Sequence, residues 1–102
     1  MYNNTMVVDN LKVNGKSVAN QFILHNEDNL YIFQSYKSTI AKVDLDKATI
    51  DIYKNYDYSR TTARHRNNFF AQLGFDEIAT TKGIKQAIKD GKIDGYKVIY
   101  HG

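Results

Sequence analysis

The first half of this chain is a series of short extended segments cut by tight polar turns, and the series stops at residue 53. No other feature limits the possible folds as much. "LKVNGKSV" (11–18) places Asn14-Gly15 between two extended runs. A two-residue hairpin turn of type I′ needs positive φ at both central positions, which asparagine and glycine tolerate best. Strands are therefore expected near 6–13 and 16–25. In "QFILHN", Phe22 and Leu24 share one face, and Ile23 and His25 the other. "NEDN" (26–29) reads as a polar turn. "LYIFQSY" (30–36) then carries apolar residues on both faces, Leu30 with Ile32 and Tyr31 with Phe33, which suits a central strand. "STIAKVD" (38–44) and "ATIDIY" (48–53) alternate well, with the polar turn "DLDK" between them. Segments this short and this closely spaced pair as an antiparallel meander.

Beyond residue 53 the signals become helical. Ser59 is a good N-cap, with Asp57 as its rival. Gly74 suits the position that follows a final Leu73, so a helix is expected over roughly 60–73. A second helix fits "TTKGIKQAIKDG" (80–91): Thr80 or Thr81 caps it, Ile84, Ala87 and Ile88 form its apolar stripe, and Gly91 ends it. Asp94-Gly95 turns the chain into "YKVIYHG", whose Tyr96, Val98 and Tyr100 share a face. The expected class is α+β: one domain over 1–102, an antiparallel sheet of about five to six strands, and two helices inserted before the last strand. In the simplest packing the helices cover one sheet face and leave the other open.

Composition narrows the chemistry. The 102 residues suit a single core. There is no cysteine, which excludes disulfides, thiolate zinc sites and cysteine nucleophiles and fits a reducing cytoplasm. Apolar runs are a few residues long, far short of a membrane span, and no charged-then-apolar leader precedes the first candidate strand. Fourteen basic residues against eleven acidic give a formal charge of +3, which permits a polyanionic partner without demanding one. The eight tyrosines say more, because a ring with a polar tip serves both sheets and binding surfaces.

The densest cluster is "YDYSRTTARHRNNFF" (56–70), with three arginines and a histidine within residues 60–66. Helical phasing divides it. Thr62, Ala63, Arg66, Phe69, Phe70 and Leu73 fall on one face. Arg60, Arg64, Asn67 and Ala71 fall opposite, with Asn68 and Thr61 alongside. Arg66, set among apolar residues, must pair, snorkel or reach a pocket, and Asp44 and Asp51 on the sheet are candidate partners. Arg60 and Arg64 with Asn67 and Asn68 form either a solvated helix face or a stripe able to touch phosphates and base edges. His65 has no acid–base partner in sequence, and a histidine at the buried edge that bonds a backbone carbonyl accounts for it. Lys82, Lys85, Lys89 and Lys92 recur along the second helix as a charged outer face. Placed beside Arg60 and Arg64, they would form one basic patch. Tyr56 and Tyr58 flank Asp57 at the strand-to-helix junction and could anchor a partner. "NGKS" (14–17) lacks the upstream glycine of a phosphate loop. No metal-ligand spacing or nucleophile elbow is present, so no catalytic residue, metal or cofactor is assigned.

Two stretches carry a resemblance. Ser35, Tyr36, Ser38, Ile40 and Ala41 form a Ser-Tyr-x-Ser-x-Ile-Ala strand. Tyr58, Ser59, Thr61, Thr62, His65 and Phe69 follow as Tyr-Ser-x-Thr-Thr-x-x-His-x-x-x-Phe. Together they resemble small uncharacterised proteins carried by phages and plasmids of Gram-positive bacteria. The resemblance implies a mobile-element setting in a bacterial cytoplasm, where small cofactor-free proteins disable host defences, as anti-CRISPR proteins do. It transfers no catalytic residue. The expected function is therefore a non-enzymatic binding protein that inhibits a host defence machine, with a host protein or ribonucleoprotein as partner and no membrane. The alternative is a small nucleic-acid-binding regulator that uses the basic helix face.

Overall fold

The structure, a computed structural model, describes residues 6–27 and 29–102. Residue 28 of the expected 26–29 turn, and the residues before 6, lie outside the described residues. Strands β1 (Val7–Val13), β2 (Lys16–His25), β3 (Leu30–Ser35), β4 (Ser38–Asp44) and β5 (Thr49–Tyr53) form the expected antiparallel meander. A 3₁₀ turn (Lys54–Asp57), helix α1 (Arg60–Gln72), a second 3₁₀ turn (Asp76–Ile78) and helix α2 (Thr81–Asp90) follow. Strands β6 (Lys92–Ile93) and β7 (Tyr96–His101) close the chain, and the class is α+β.

Among the described residues, seven strands form one sheet in the order β1-β2-β3-β4-β5-β7-β6. Two points differ from the sequence reading. β6 is an additional strand only two residues long, too short to show a period. β7 pairs with β5 in parallel, Ile50 opposite Val98 and Ile52 opposite Tyr100. A parallel neighbour needs a long crossover to bring the chain back to its starting end, and the two helices are that crossover.

Local chemistry accounts for the boundaries. Asn14 and Gly15 both adopt positive φ, 53° and 77°, as the first hairpin turn requires. Ser59 caps α1, its hydroxyl accepting from the Thr62 amide at 3.1 Å. At the other end Gly74 stands at φ +88°. The amides of Gly74 and Phe75 donate to the carbonyls of Ala71 and Phe70, which closes the last turn of the helix. Thr80, not Thr81, caps α2, accepting from the Gly83 amide. Gly91 ends that helix in the left-handed conformation.

The register sorts the two sheet faces. Ile23, Phe33, Ala41, Ile52 and Tyr100 align across five strands. This face meets Phe69, Phe70, Ile84 and Ala87 of the helices in one core, and Phe33 stacks on Phe69 with centroids 5.5 Å apart. Val8, Leu24, Ile32, Lys42, Asp51 and Ile99 align on the opposite face. That face lies outside the helix-covered core, as the sequence reading anticipated. Among the described residues no helix is long and apolar enough to cross a membrane.

Candidate functional site

Arg66 organises the region around the start of α1. It is 0% exposed. One of its terminal nitrogens donates to the Tyr56 carbonyl. The other donates to Asn67 Oδ1 at 2.8 Å and Thr81 Oγ1 at 2.7 Å. The guanidinium also lies over the Tyr56 ring, 5.7 Å from its centroid. Burial pushes its pKa down, and the Asp57 carboxylate and Tyr56 oppose that shift. The proposed partners Asp44 and Asp51 are not used. Both sit on the uncovered face, because strand alternation sets them opposite the Val43, Ile50 and Ile52 face that the helices cover. Asp44 instead accepts from the turn amides of Asp46 and Lys47, and Asp51 takes His101 at 2.7 Å.

Arg66 thereby fixes the 3₁₀ turn Lys54–Asp57 and joins it to both helices. Beside that turn lies an open cleft of about 670 Å³. One wall is the β3–β4 turn, with Ser35, Tyr36, Lys37, Ser38 and the aliphatic Ile40. The other is the 3₁₀ turn and the first turn of α1, with Asn55, Tyr58, Ser59, Thr61 and Thr62. Some of the polar groups are spent internally. The Ser59 hydroxyl donates to Thr62 Oγ1, and Ser35 Oγ lies 3.3 Å from the same atom. Asn55 donates to Ser38 Oγ. Among the described residues, the hydroxyls of Tyr36, Tyr58 and Thr61 and the Lys37 ammonium carry no internal hydrogen bond. Tyr36 is 58% and Tyr58 77% exposed.

The residues singled out from sequence divide in their roles. Arg60 and Arg64 are exposed on α1, as phasing required. Asn67 is committed to Arg66, and Asn68 donates back to the Arg64 carbonyl, so neither amide is an idle member of an Arg/Asn stripe. Tyr56 is structural: besides holding Arg66, it packs edge-on against Tyr100. Tyr58 alone of that pair faces the cleft. Lys82, Lys85 and Lys89 are exposed on α2, with Lys85 3.6 Å from Asp57. Through Thr81, α2 docks on the Arg66 side of α1, about a third of a turn or more from Arg60 and Arg64.

His65 also departs from expectation. His65 bonds no carbonyl: its Nδ1 is enclosed without a partner among the described residues. Burial, then the neighbouring Arg64, lowers its pKa. His25 and His101, isolated in sequence, are each paired, His25 with Asp9 at 2.8 Å and His101 with Asp51. His101 also stacks on Tyr53. It shares a shallow groove with Ser38 and Thr39, but neither hydroxyl is hydrogen-bonded to it. Among the described residues no group of three or more metal-ligating side chains comes together.

Residue-by-residue reading passed over Lys37 and Asn55, and it did not foresee a cleft. A signal was nevertheless present. Ser35, Tyr36, Ser38 and Ile40 come from the first stretch that carries the resemblance, and Tyr58, Ser59, Thr61 and Thr62 from the second. The two converge on one cavity. No curated protein and no solved structure matches the chain. A family model matches residues 6–91, a span that holds both cleft walls, and on that match the chain belongs to DUF8033, a family of unknown function.

Proposed function

We propose that the protein is a non-enzymatic binding protein that engages a nuclease complex of bacterial host defence, as an anti-CRISPR inhibitor does, through the mouth of this cleft. One observation carries the reading: the two stretches that resemble phage and plasmid proteins are apart in sequence yet line the same cavity. Its titratable lining is Tyr36, Lys37 and Tyr58, with no histidine, aspartate or glutamate. The groups it does present fit binding. Tyr58 is the most exposed large ring in the described structure, and Arg60 is exposed two residues later. Tyrosine and arginine are the usual energetic anchors of protein interfaces.

The test is affinity capture from the lysate of a bacterium that carries a CRISPR nuclease, with and without nuclease treatment. The wild-type chain is compared with a Tyr58→Ala/Arg60→Ala variant. The wild type should recover a nuclease or its ribonucleoprotein, and the variant at least about tenfold less. Equal recovery by the two forms, or recovery of nucleic acid alone, defeats the reading.

A second reading is a small nucleic-acid-binding regulator that uses the basic face of α1. It is favoured by Arg60 and Arg64, which are exposed and have no ion-pair partner among the described residues. Its signature is binding that weakens steeply with salt and is lost in an Arg60→Ala/Arg64→Ala variant.

A further inference from the structure

We infer that the cleft is a subsite for a single nucleotide, taking a base against the exposed rings of Tyr36 and Tyr58 and a phosphate at Lys37. The inference names the ligand class of the surface assigned above. It rests on that assignment only for the source of the nucleotide, a strand carried by the target complex.

Size comes first. A volume of about 670 Å³ lies within the ~300–1,000 Å³ typical of small-molecule sites. The disposition of the polar groups comes second. Ser35, Ser59 and Thr62 satisfy one another and form a fixed wall. The groups without internal partners stand nearer the mouth: the phenol groups of Tyr36 and Tyr58, the Thr61 hydroxyl and the Lys37 ammonium.

The backbone at Tyr36 is the third observation. Its φ is +54°, a region that asparagine or glycine enters readily and a bulky aromatic does not. The position is clamped on both sides. Its amide donates to the Asn20 carbonyl at 2.7 Å, and its carbonyl accepts from Gln34 Nε2 at 2.8 Å. An aromatic side chain therefore stands where the turn itself asks for a smaller residue, and its ring is more than half exposed at the cleft. Residues held this way cluster at ligand-binding sites.

Charge selects the ligand. Two exposed rings could stack on a sugar as well as on a base. Lysine only donates, however, and no carboxylate lines the cleft, so the free groups favour an anion. A nucleotide brings a flat ring and an anion in one unit, and stacking on aromatic side chains needs no particular base. Arg60 is exposed two residues beyond Tyr58.

The experiment is an amide-resolved NMR titration of the full chain at low salt. The probes are adenosine monophosphate, a short single-stranded oligonucleotide and inorganic phosphate. Nucleotide and oligonucleotide should shift the amides of 36–38 and 58–62. A Tyr36→Asn/Lys37→Ala variant should bind at least about tenfold more weakly while keeping the remaining spectrum. An oligonucleotide that binds more tightly than the monophosphate supports a strand as the source, and equal affinity supports a free nucleotide. Absence of shifts at millimolar nucleotide overturns the inference. So do shifts that are undiminished in the variant, or equal shifts with inorganic phosphate. If a nuclease is captured from lysate while no nucleotide perturbs the cleft, the subsite fails and the binding-protein reading survives. If nucleotide binds and no nuclease is captured, the outcome is reversed.

Discussion

Arg66 is a buried guanidinium held by a carbonyl, an amide oxygen and a hydroxyl rather than by a carboxylate. Its value lies in geometry. A planar fork reaches Tyr56, Asn67 and Thr81 at once, and these belong to the 3₁₀ turn, α1 and the first residue of α2. Lysine has one compact ammonium and cannot span the same acceptors. Arg66→Lys should therefore lower stability by about 2 kcal/mol, and Arg66→Ala by about 3–4 kcal/mol, because truncation leaves both a cavity and unpaired acceptors. Arg64→Ala, on the exposed face, should change stability by less than ~0.5 kcal/mol. Urea denaturation of the three variants checks this, and equal losses at 64 and 66 would contradict it. Sequence alone showed that Arg66 needed a partner, since helical phasing set it among Thr62, Phe69 and Phe70. It did not show which partner. The acidic candidates were reasonable by charge, but strand alternation turns both away from the helices.

At the scale of elements, each helix is delimited by its own side chains. Ser59 and Thr80 occupy the first open amides, and Gly74 and Gly91 supply positive φ at the ends. These boundaries were legible because capping is a local event within about four residues. Gly83 obeys a different rule. It lies inside α2 with ordinary helical backbone, where alanine is normally favoured by about 1 kcal/mol. A Cβ there would stand 1.7 Å from the Glu77 carbonyl oxygen, so the first turn of α2 rests directly on the 3₁₀ turn Asp76–Ile78. Gly83→Ala should thus be destabilising by about 1–3 kcal/mol, the reverse of the propensity rule. Lys82→Ala, one residue earlier and exposed, serves as the control. A melting temperature for Gly83→Ala at or above the wild type would refute the close approach.

Across the whole molecule, stability should be uneven. β4 and β5 are flanked by paired strands on both sides and contribute Ile40, Ala41, Val43, Ile50 and Ile52 to the core. β1 is an edge strand, and its residues from Val7 to Asn10 are all exposed. Its firm attachments are Leu11 in the core and the bond from Gln72 to the Lys12 carbonyl. In native-state hydrogen exchange, the bonded amides of β4 and β5 should exchange only by global unfolding. Those in the first half of β1 should exchange by local opening, at a free energy several kcal/mol lower. Uniform protection across β1 and β5 would show that the sheet opens as one unit. The meander, both helices and the inward face of α1 were determined by sequence alone, because period, turn chemistry and capping act between residues close along the chain. The parallel docking of β7 on β5 and the cleft were decided only by the tertiary structure. Each depends on how the crossover of 54–95 lies against the sheet, and that follows from the fit of side chains remote in sequence. The cleft shows this most directly: its two walls, far apart in sequence, are joined by the Asn55–Ser38 and Ser35–Thr62 side-chain bonds.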